Sequence, residues 1–358
     1  MSRATQVRLS LRSRVERPAL IAAGLLPQPV LDALSRLTRT NRAGESLAPE
    51  MALVAAAARH LPGVGLMNGS VDDSRRLLDQ TSTAMAQTFA PFAIEEDLVI
   101  GSPDGPIPAT RYRAAEGTPR GLIVFLHGGG FVIGSRGSHD SLVRALAVET
   151  GADVLSVDYR LAPEHPFPAA VDDSIAAFRF AVEQAPGWGI DPNAIVVAGD
   201  SAGGNLSAVV TQQVRDDAVI PCLQLLIYPV ADVSVTRDSI REFADGLFLT
   251  KADMDFFVDA YLPSSDLVDD PRVSPLKGDL EGLPPAHVVV AGFDPLRDEG
   301  VEFAAALEKA GVDVTLERAG GMIHGFANMG LISPTARAVV NRMASAAVAA
   351  MDAASRRE

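Results

Sequence analysis

The chain has 358 residues, 47% hydrophobic and 21% charged, a balance that excludes disorder over most of its length and supports a core without metals or disulfides. Forty-five acidic residues against thirty-one basic ones give a formal net charge of −14, so binding to nucleic acid or an anionic membrane would need a local basic patch, which the sparse Arg8, Arg12 and Arg14 do not supply. The single cysteine, Cys222, excludes an intrachain disulfide and a multi-cysteine metal site.

Near the start, the apolar stretch Pro18 to Leu26 is preceded by arginines and Glu16 and followed by Pro27, which does not read as a signal peptide. No run reaches the roughly 18 to 20 apolar residues of a membrane span, and a reducing cytoplasm is the expected setting. Apolar residues recur at helical spacing over Gln28 to Arg39, Pro49 to Leu61 and Asp72 to Gln87. Ile94 to Ile100, the turn Ser102-Pro103-Asp104-Gly105 and Ile107 to Tyr112 then read as a β-hairpin, because Asp-Gly supplies the backbone freedom of a tight reversal.

Beyond the hairpin, strands and helices alternate. Gly121 to Leu126, Asp153 to Val157, Ile195 to Ala198, Leu223 to Tyr228, His287 to Ala291 and Val312 to Glu317 are short runs dense in Val, Ile and Leu. Helical patterns over Ser138 to Glu149, Ala169 to Gln184, Gly203 to Arg215, Gly300 to Ala310 and Pro334 to Ala353 separate them or close the chain. Buried strands joined by helical crossovers imply an α/β fold with a mostly parallel sheet covered on both faces. The interval Pro229 to Pro263, with a helical pattern over Lys251 to Tyr261, is too long for an ordinary βα connection and is expected to roof a site at the carboxyl ends of the strands.

The stretch Gly199-Asp200-Ser201-Ala202-Gly203 contains G-x-S-x-G between an apolar strand and a helix. Read alone, its glycines would shape a βα turn and Ser201 would cap the helix. After a strand, the same spacing suits a nucleophile on a strained turn, with helix N–H groups facing developing negative charge. A serine hydroxyl needs a base oriented by a carboxylate, in the chain order Ser, acid, His. Among six histidines, His324 lies in a glycine-flanked loop beyond the last strand and is the expected base. His60, His139, His165 and His287 read as a helix residue, a helix start, a turn anchor and a strand start. Asp294, at the exit of the strand before it, is the expected acid, with Asp298 the runner-up and Arg297 pairing locally or facing solvent.

His127-Gly128-Gly129-Gly130-Phe131 follows another strand, and three glycines leave backbone N–H groups free to turn inward on a tetrahedral oxyanion. Gly128, Gly129 and Ala202 are assigned as donors, Gly130 to flexibility and clearance, and His127 to orienting the loop. No G-K-[ST] or G-x-G-x-x-G accompanies the run, so a phosphate loop is disfavoured.

These stretches resemble the hormone-sensitive-lipase-like branch of the α/β-hydrolases, the bacterial family IV carboxylesterases: HGGGF at His127 to Phe131, DYRLAPEHPFPAA at Asp158 to Ala170, GDSAGGN at Gly199 to Asn205, DPLRDEG at Asp294 to Gly300 and HGF at His324 to Phe326. The resemblance covers roughly Ala90 to Ala353. It implies Ser201 as nucleophile, Asp294 as acid, His324 as base and Gly128, Gly129 and Ala202 as oxyanion donors. It also implies a helical cap from residues 1–89 and 231–263 over a catalytic domain of 90–230 and 264–358; the first forty or so residues extend beyond the usual cap.

The implied function is a serine carboxylesterase acting on short- to medium-chain esters, its partners a small ester and water, with no cofactor or metal and homodimerisation common in the family. An amidase or carbamate hydrolase with the same triad and a small-ligand binding module are the alternatives. Phe131, Phe243, Phe248, Phe256 and Phe257 are candidate pocket walls, each equally readable as core.

Overall fold

The computed structural model describes residues 39–60, 65–245 and 247–356. Of the periodic stretch Gln28 to Arg39, all but Arg39 lies outside them. Helices α1 (Pro49–His60) and α2 (Val71–Met85) precede the hairpin of β1 (Ile94–Ile100) and β2 (Ile107–Arg113). The alternating part runs β3 (Leu122–Leu126), α3 (Arg136–Thr150), β4 (Asp153–Val157), α4 (Ala169–Gln184), β5 (Ile195–Asp200), α5 (Ala202–Gln213) and β6 (Leu223–Ile227). After β6 come the short α6 (Asp238–Glu242) and α7 (Lys251–Tyr261), then β7 (Ala286–Phe293), α8 (Arg297–Lys309), β8 (Val314–Ile323) and α9 (Pro334–Ala354).

All eight strands form one sheet in the order β1-β2-β4-β3-β5-β6-β7-β8. β2 is antiparallel to both β1 and β4, and every other pairing is parallel. From β3 to β7 every strand residue is buried, which is why these segments read as continuous apolar runs and not as alternating ones. Alternation instead assigns faces. Ile123 and Phe125 of β3 pack with Leu142 and Leu146 of α3 and Val340 and Met343 of α9, while Leu122, Val124 and Leu126 pack with Phe178 of α4 and Leu206 of α5. Each such side chain is worth about 1.5–3 kcal/mol relative to exposure, so the sheet is a rigid platform for what its strand ends carry.

Two of the boundaries that depart from the sequence reading affect the site. β8 does not stop near Glu317 but continues through Gly320-Gly321 to Ile323. Those glycines permit a close approach between strands: the β7–β8 register shifts between Ala291 and Phe293, and a Cβ at Gly292 would run into the carbonyl of Gly320. His324 therefore follows the strand directly instead of sitting in a loop. Likewise α5 starts at Ala202, immediately after Ser201, and not at Gly203.

The segment 231–263 carries α6 and α7, and residues of α2 and α7 line the cavity that Ser201 opens into. Thr250 closes a capping box with Asp253 at the start of α7. α1 packs elsewhere: Met51 and Ala55 join the core beside β8 and α9, and Glu50 accepts a 2.8 Å hydrogen bond from the Ser333 hydroxyl.

Candidate active site

At the end of β5 the backbone reverses sharply into α5, and Ser201 takes φ 56°, ψ −118°, a conformation few side-chain-bearing residues adopt. Neighbouring glycines allow it. A Cβ at Gly203 would meet the carbonyl of Leu126, and one at Gly199 the carbonyl of Gly203. The Ser201 N–H donates to Ile227 O at 2.9 Å, pinning the turn to β6. Its hydroxyl is lifted above the sheet toward residues delivered by β7 and β8.

His324 arrives from β8 with Nε2 2.9 Å from Ser201 Oγ. Its Nδ1 lies 2.8 Å from Oδ2 of Asp294, which directly follows β7. The other Asp294 oxygen accepts the Leu296 N–H at 2.8 Å, and the aspartate is fully buried. Side chains 123 and 30 residues apart are thus joined in a single line of hydrogen bonds. Tyr228 supports the imidazole, its ring centroid 4.8 Å from that of His324.

The competing residues lie elsewhere. Asp298 accepts from the Ser239 N–H at 2.8 Å and pairs with Arg297, which also reaches Glu242 and the Gly292 carbonyl. His165 is exposed in its turn, and His287 pairs with Glu317 at 3.2 Å. The side chain of His60 lies outside the described residues. His127 stacks on Tyr159 with centroids 4.3 Å apart, and burial, reinforced by His139, lowers its pKa to about 4, so it is neutral.

The glycine loop departs from the sequence reading at two positions, Gly128 and Gly130. The Gly128 N–H does not face the serine; it donates to Asp200 Oδ1 at 2.9 Å. The turn then continues through left-handed Gly129 and Gly130, at φ 124° and 61°, and the Gly129 carbonyl accepts the N–H groups of Val132 and Ile133. Among the described residues, the N–H groups of Gly129, Gly130 and Ala202 make no hydrogen bond. Gly130, expected to give flexibility and clearance, lies under Phe257 so closely that a Cβ would enter that ring.

A family model of the α/β-hydrolase fold matches residues 123–328, more than half of the chain. The protein belongs to the hormone-sensitive-lipase-like, bacterial family IV α/β-hydrolases. It is 48% identical to the carboxylic ester hydrolase LipN of Mycobacterium tuberculosis over 70% of this chain and 69% of that one. To the ethyl acetate hydrolase of Pseudomonas putida it is 38% identical, over 73% and 84% of the two chains. Among solved structures, the ester hydrolase EH1AB1 from the Lake Arreo metagenome superposes with a TM-score of 0.77 at 40% identity, covering 85% of this chain and 98% of that one. The esterase of Pyrobaculum calidifontis gives 0.78 at 38% identity over the same shares.

In this family IV hydrolase the serine opens into a cavity of about 450 Å³. Leu78 and Met85 of α2, Met254, Phe257 and Val258 of α7, and Val230, Val233 and Leu296 make its lining largely apolar. Of the five candidate wall phenylalanines, Phe131, Phe248 and Phe257 line it. Phe243 packs instead against Phe293 in the core, and Phe256 is 40% exposed. Cap and loop are tied together by Arg75 of α2, which donates to the carbonyls of Val132 and Ala162 and pairs with Glu164.

Two buried carboxylates beside this family IV site, Glu299 and Asp200, make contacts the sequence reading did not assign; Glu299 read only as a possible helix cap. Glu299, which accepts the Ala231 N–H at 2.8 Å, is pushed up to about 8 by burial, so at neutral pH it is mostly uncharged. Asp200 grips the glycine loop from the position just before the nucleophile. The available signal for it was its place inside G-D-S-A-G; nothing marked its partner His139 beyond a helix start. Among the described residues no group of His, Cys, Asp or Glu could hold a metal ion, and no helix is long and apolar enough to cross a membrane.

Proposed function

We propose that this chain is a serine carboxylesterase that hydrolyses short- to medium-chain carboxylic esters through an acyl-serine intermediate. The observation that carries the reading is the 2.9 Å approach of His324 Nε2 to Ser201 Oγ, with Asp294 at 2.8 Å on the far side of the ring. The Asp294 carboxylate fixes the Nδ1–H tautomer, leaving Nε2 free to accept. As Oγ attacks the ester carbonyl, its proton passes to Nε2, and the carbonyl oxygen becomes an oxyanion held by the N–H groups of Gly129, Gly130 and Ala202. Protonated His324 then donates to the leaving alkoxide, and the alcohol departs. Water, deprotonated by His324, attacks the acyl-serine, and the carboxylic acid leaves as Ser201 recovers its proton.

Residues 65–89 and 231–263 act in this reading as the cap, with 90–230 and 264–358 the catalytic body. The cap bounds the substrate: about 450 Å³ lies within the ~300–1,000 Å³ usual for small-molecule sites, and its apolar lining suits acyl chains that fit beneath α2 and α7. Across p-nitrophenyl esters of increasing acyl length, kcat/KM is expected to peak at short or medium chains and to exceed the rate on matched anilides. A maximum reached only with emulsified long-chain esters, or anilides cleaved faster than esters, would contradict it.

A further inference from the structure

Asp200 sits where three parts of the site converge. Its Oδ1 accepts the Gly128 N–H at 2.9 Å and lies 3.1 Å from His139 Nε2. Its Oδ2 is 3.3 Å from the Tyr228 hydroxyl, which belongs to the ring packed on His324, and 3.5 Å from Asn328 Nδ2. Asp200 and His139 are only 3% and 5% exposed. A bare carboxylate here would oppose the chemistry, because it holds the loop whose next two N–H groups face the developing oxyanion.

The proton inventory of His139 resolves the conflict. Ser138 Oγ lies 2.9 Å from both Ser135 O and His139 Nδ1, and Nδ1 is itself 3.4 Å from Ser135 O, which can only accept. A hydrogen on Nδ1 serves both oxygens. If Nε2 were bare, its lone pair would face the carboxylate lone pair at 3.1 Å; a second hydrogen turns that contact into a charged hydrogen bond. The Gly128 N–H reaches Nε2 at 3.3 Å as well as Asp200 Oδ1 at 2.9 Å, so a ring with Nε2 bare would share the hydrogen that a ring protonated there leaves to Asp200.

We propose that His139 and Asp200 are positioning residues, a buried imidazolium–carboxylate pair that fixes the Gly128–Gly130 loop in donor geometry while keeping the net charge behind the oxyanion at zero. The inference rests on the ester-hydrolase reading for its kinetic consequence alone. Burial opposes the charge on each partner, and the pairing outweighs it, raising His139 and lowering Asp200. The other groups facing the pair are Asp79 of α2, neutral His127, His324 and the phenols of Tyr159 and Tyr228, with Asp158 beyond β4 acting on Asp79, His127 and Tyr159. Asp79 adds to the field that favours the imidazolium.

The pair predicts an unusual order of activities. His139→Gln leaves Asp200 charged and uncompensated, so kcat falls about thirty- to hundredfold with KM within about twofold. The double variant H139Q/D200N restores neutrality and recovers about tenfold over H139Q. The wild type loses kcat at alkaline pH as His139 gives up its proton, and that limb is absent in H139Q. Ring-¹⁵N spectra of the wild type without substrate should show both His139 nitrogens protonated at pH 7, a readout that survives if a variant fails to fold or Ser201 proves not to be the nucleophile. A neutral His139 ring at pH 7, a double variant no better than H139Q, or H139Q with unchanged kcat would each overturn the proposal.

Discussion

Ser201→Ala is expected to lower kcat on a short-chain aryl ester by on the order of a hundred-thousandfold to a millionfold while leaving the fold intact. The loss is that large because the variant removes the atom that forms the acyl bond, whereas the surrounding N–H groups still bind and polarise the ester and leave only a small residual rate. Stability should hardly move. Among the described residues Oγ makes one hydrogen bond, the 2.9 Å contact to His324, worth about 0.5–1.5 kcal/mol, and the left-handed turn is set by Gly199, Gly203 and the Ile227 carbonyl, none of which changes. Thermal melts within a few degrees of wild type together with a collapsed kcat are the expected result. A variant turning over within tenfold of wild type would show that another group attacks.

Asp294→Asn should cost about ten-thousandfold in kcat, with far less effect on KM. Asparagine preserves the shape and can still accept the Leu296 N–H through its oxygen, but it then presents an NH₂ group to His324 Nδ1 at what is now a 2.8 Å contact. That forces Nδ1 to accept and puts the ring proton on Nε2, facing Ser201, where it can no longer take the serine proton. Steady-state kinetics and a melting curve separate this tautomer effect from unfolding. Retention of a tenth or more of the wild-type kcat would mean that Asp294 does not set the state of the ring.

How much of this was legible beforehand follows from where each residue sits. Ser201 and Asp294 each lie at or just beyond the exit of an apolar run, and a parallel sheet carries such exits to one edge; His324 was legible from chain order alone, because the sequence reading ended its strand near Glu317 and the strand runs on to Ile323. The direction of one N–H within three glycines was not legible: Gly128 turns away because Asp200, seventy-two residues later, claims its hydrogen, and periodicity contains nothing about that. Gly320-Gly321 look like a loop signal in sequence yet serve a strand bulge against Gly292. Composition could not separate Phe243, which meets Phe293 in the core, from Phe257, which covers Gly130. His139 occupies the first turn of a capped helix, an ordinary place for a polar residue, and only the fold brings it onto Asp200.

The central claim is that the hydrogen-bond line from Asp294 through His324 turns one particular hydroxyl into a nucleophile. Intact-mass measurement after exposure to an aryl phosphonate, followed by peptide mapping, tests it most directly. One phosphonyl group per chain, carried by Ser201, with ester hydrolysis lost in step with labelling and no adduct on S201A, is the predicted result. An adduct on a different residue, or full hydrolytic activity in protein quantitatively labelled at Ser201, would contradict it.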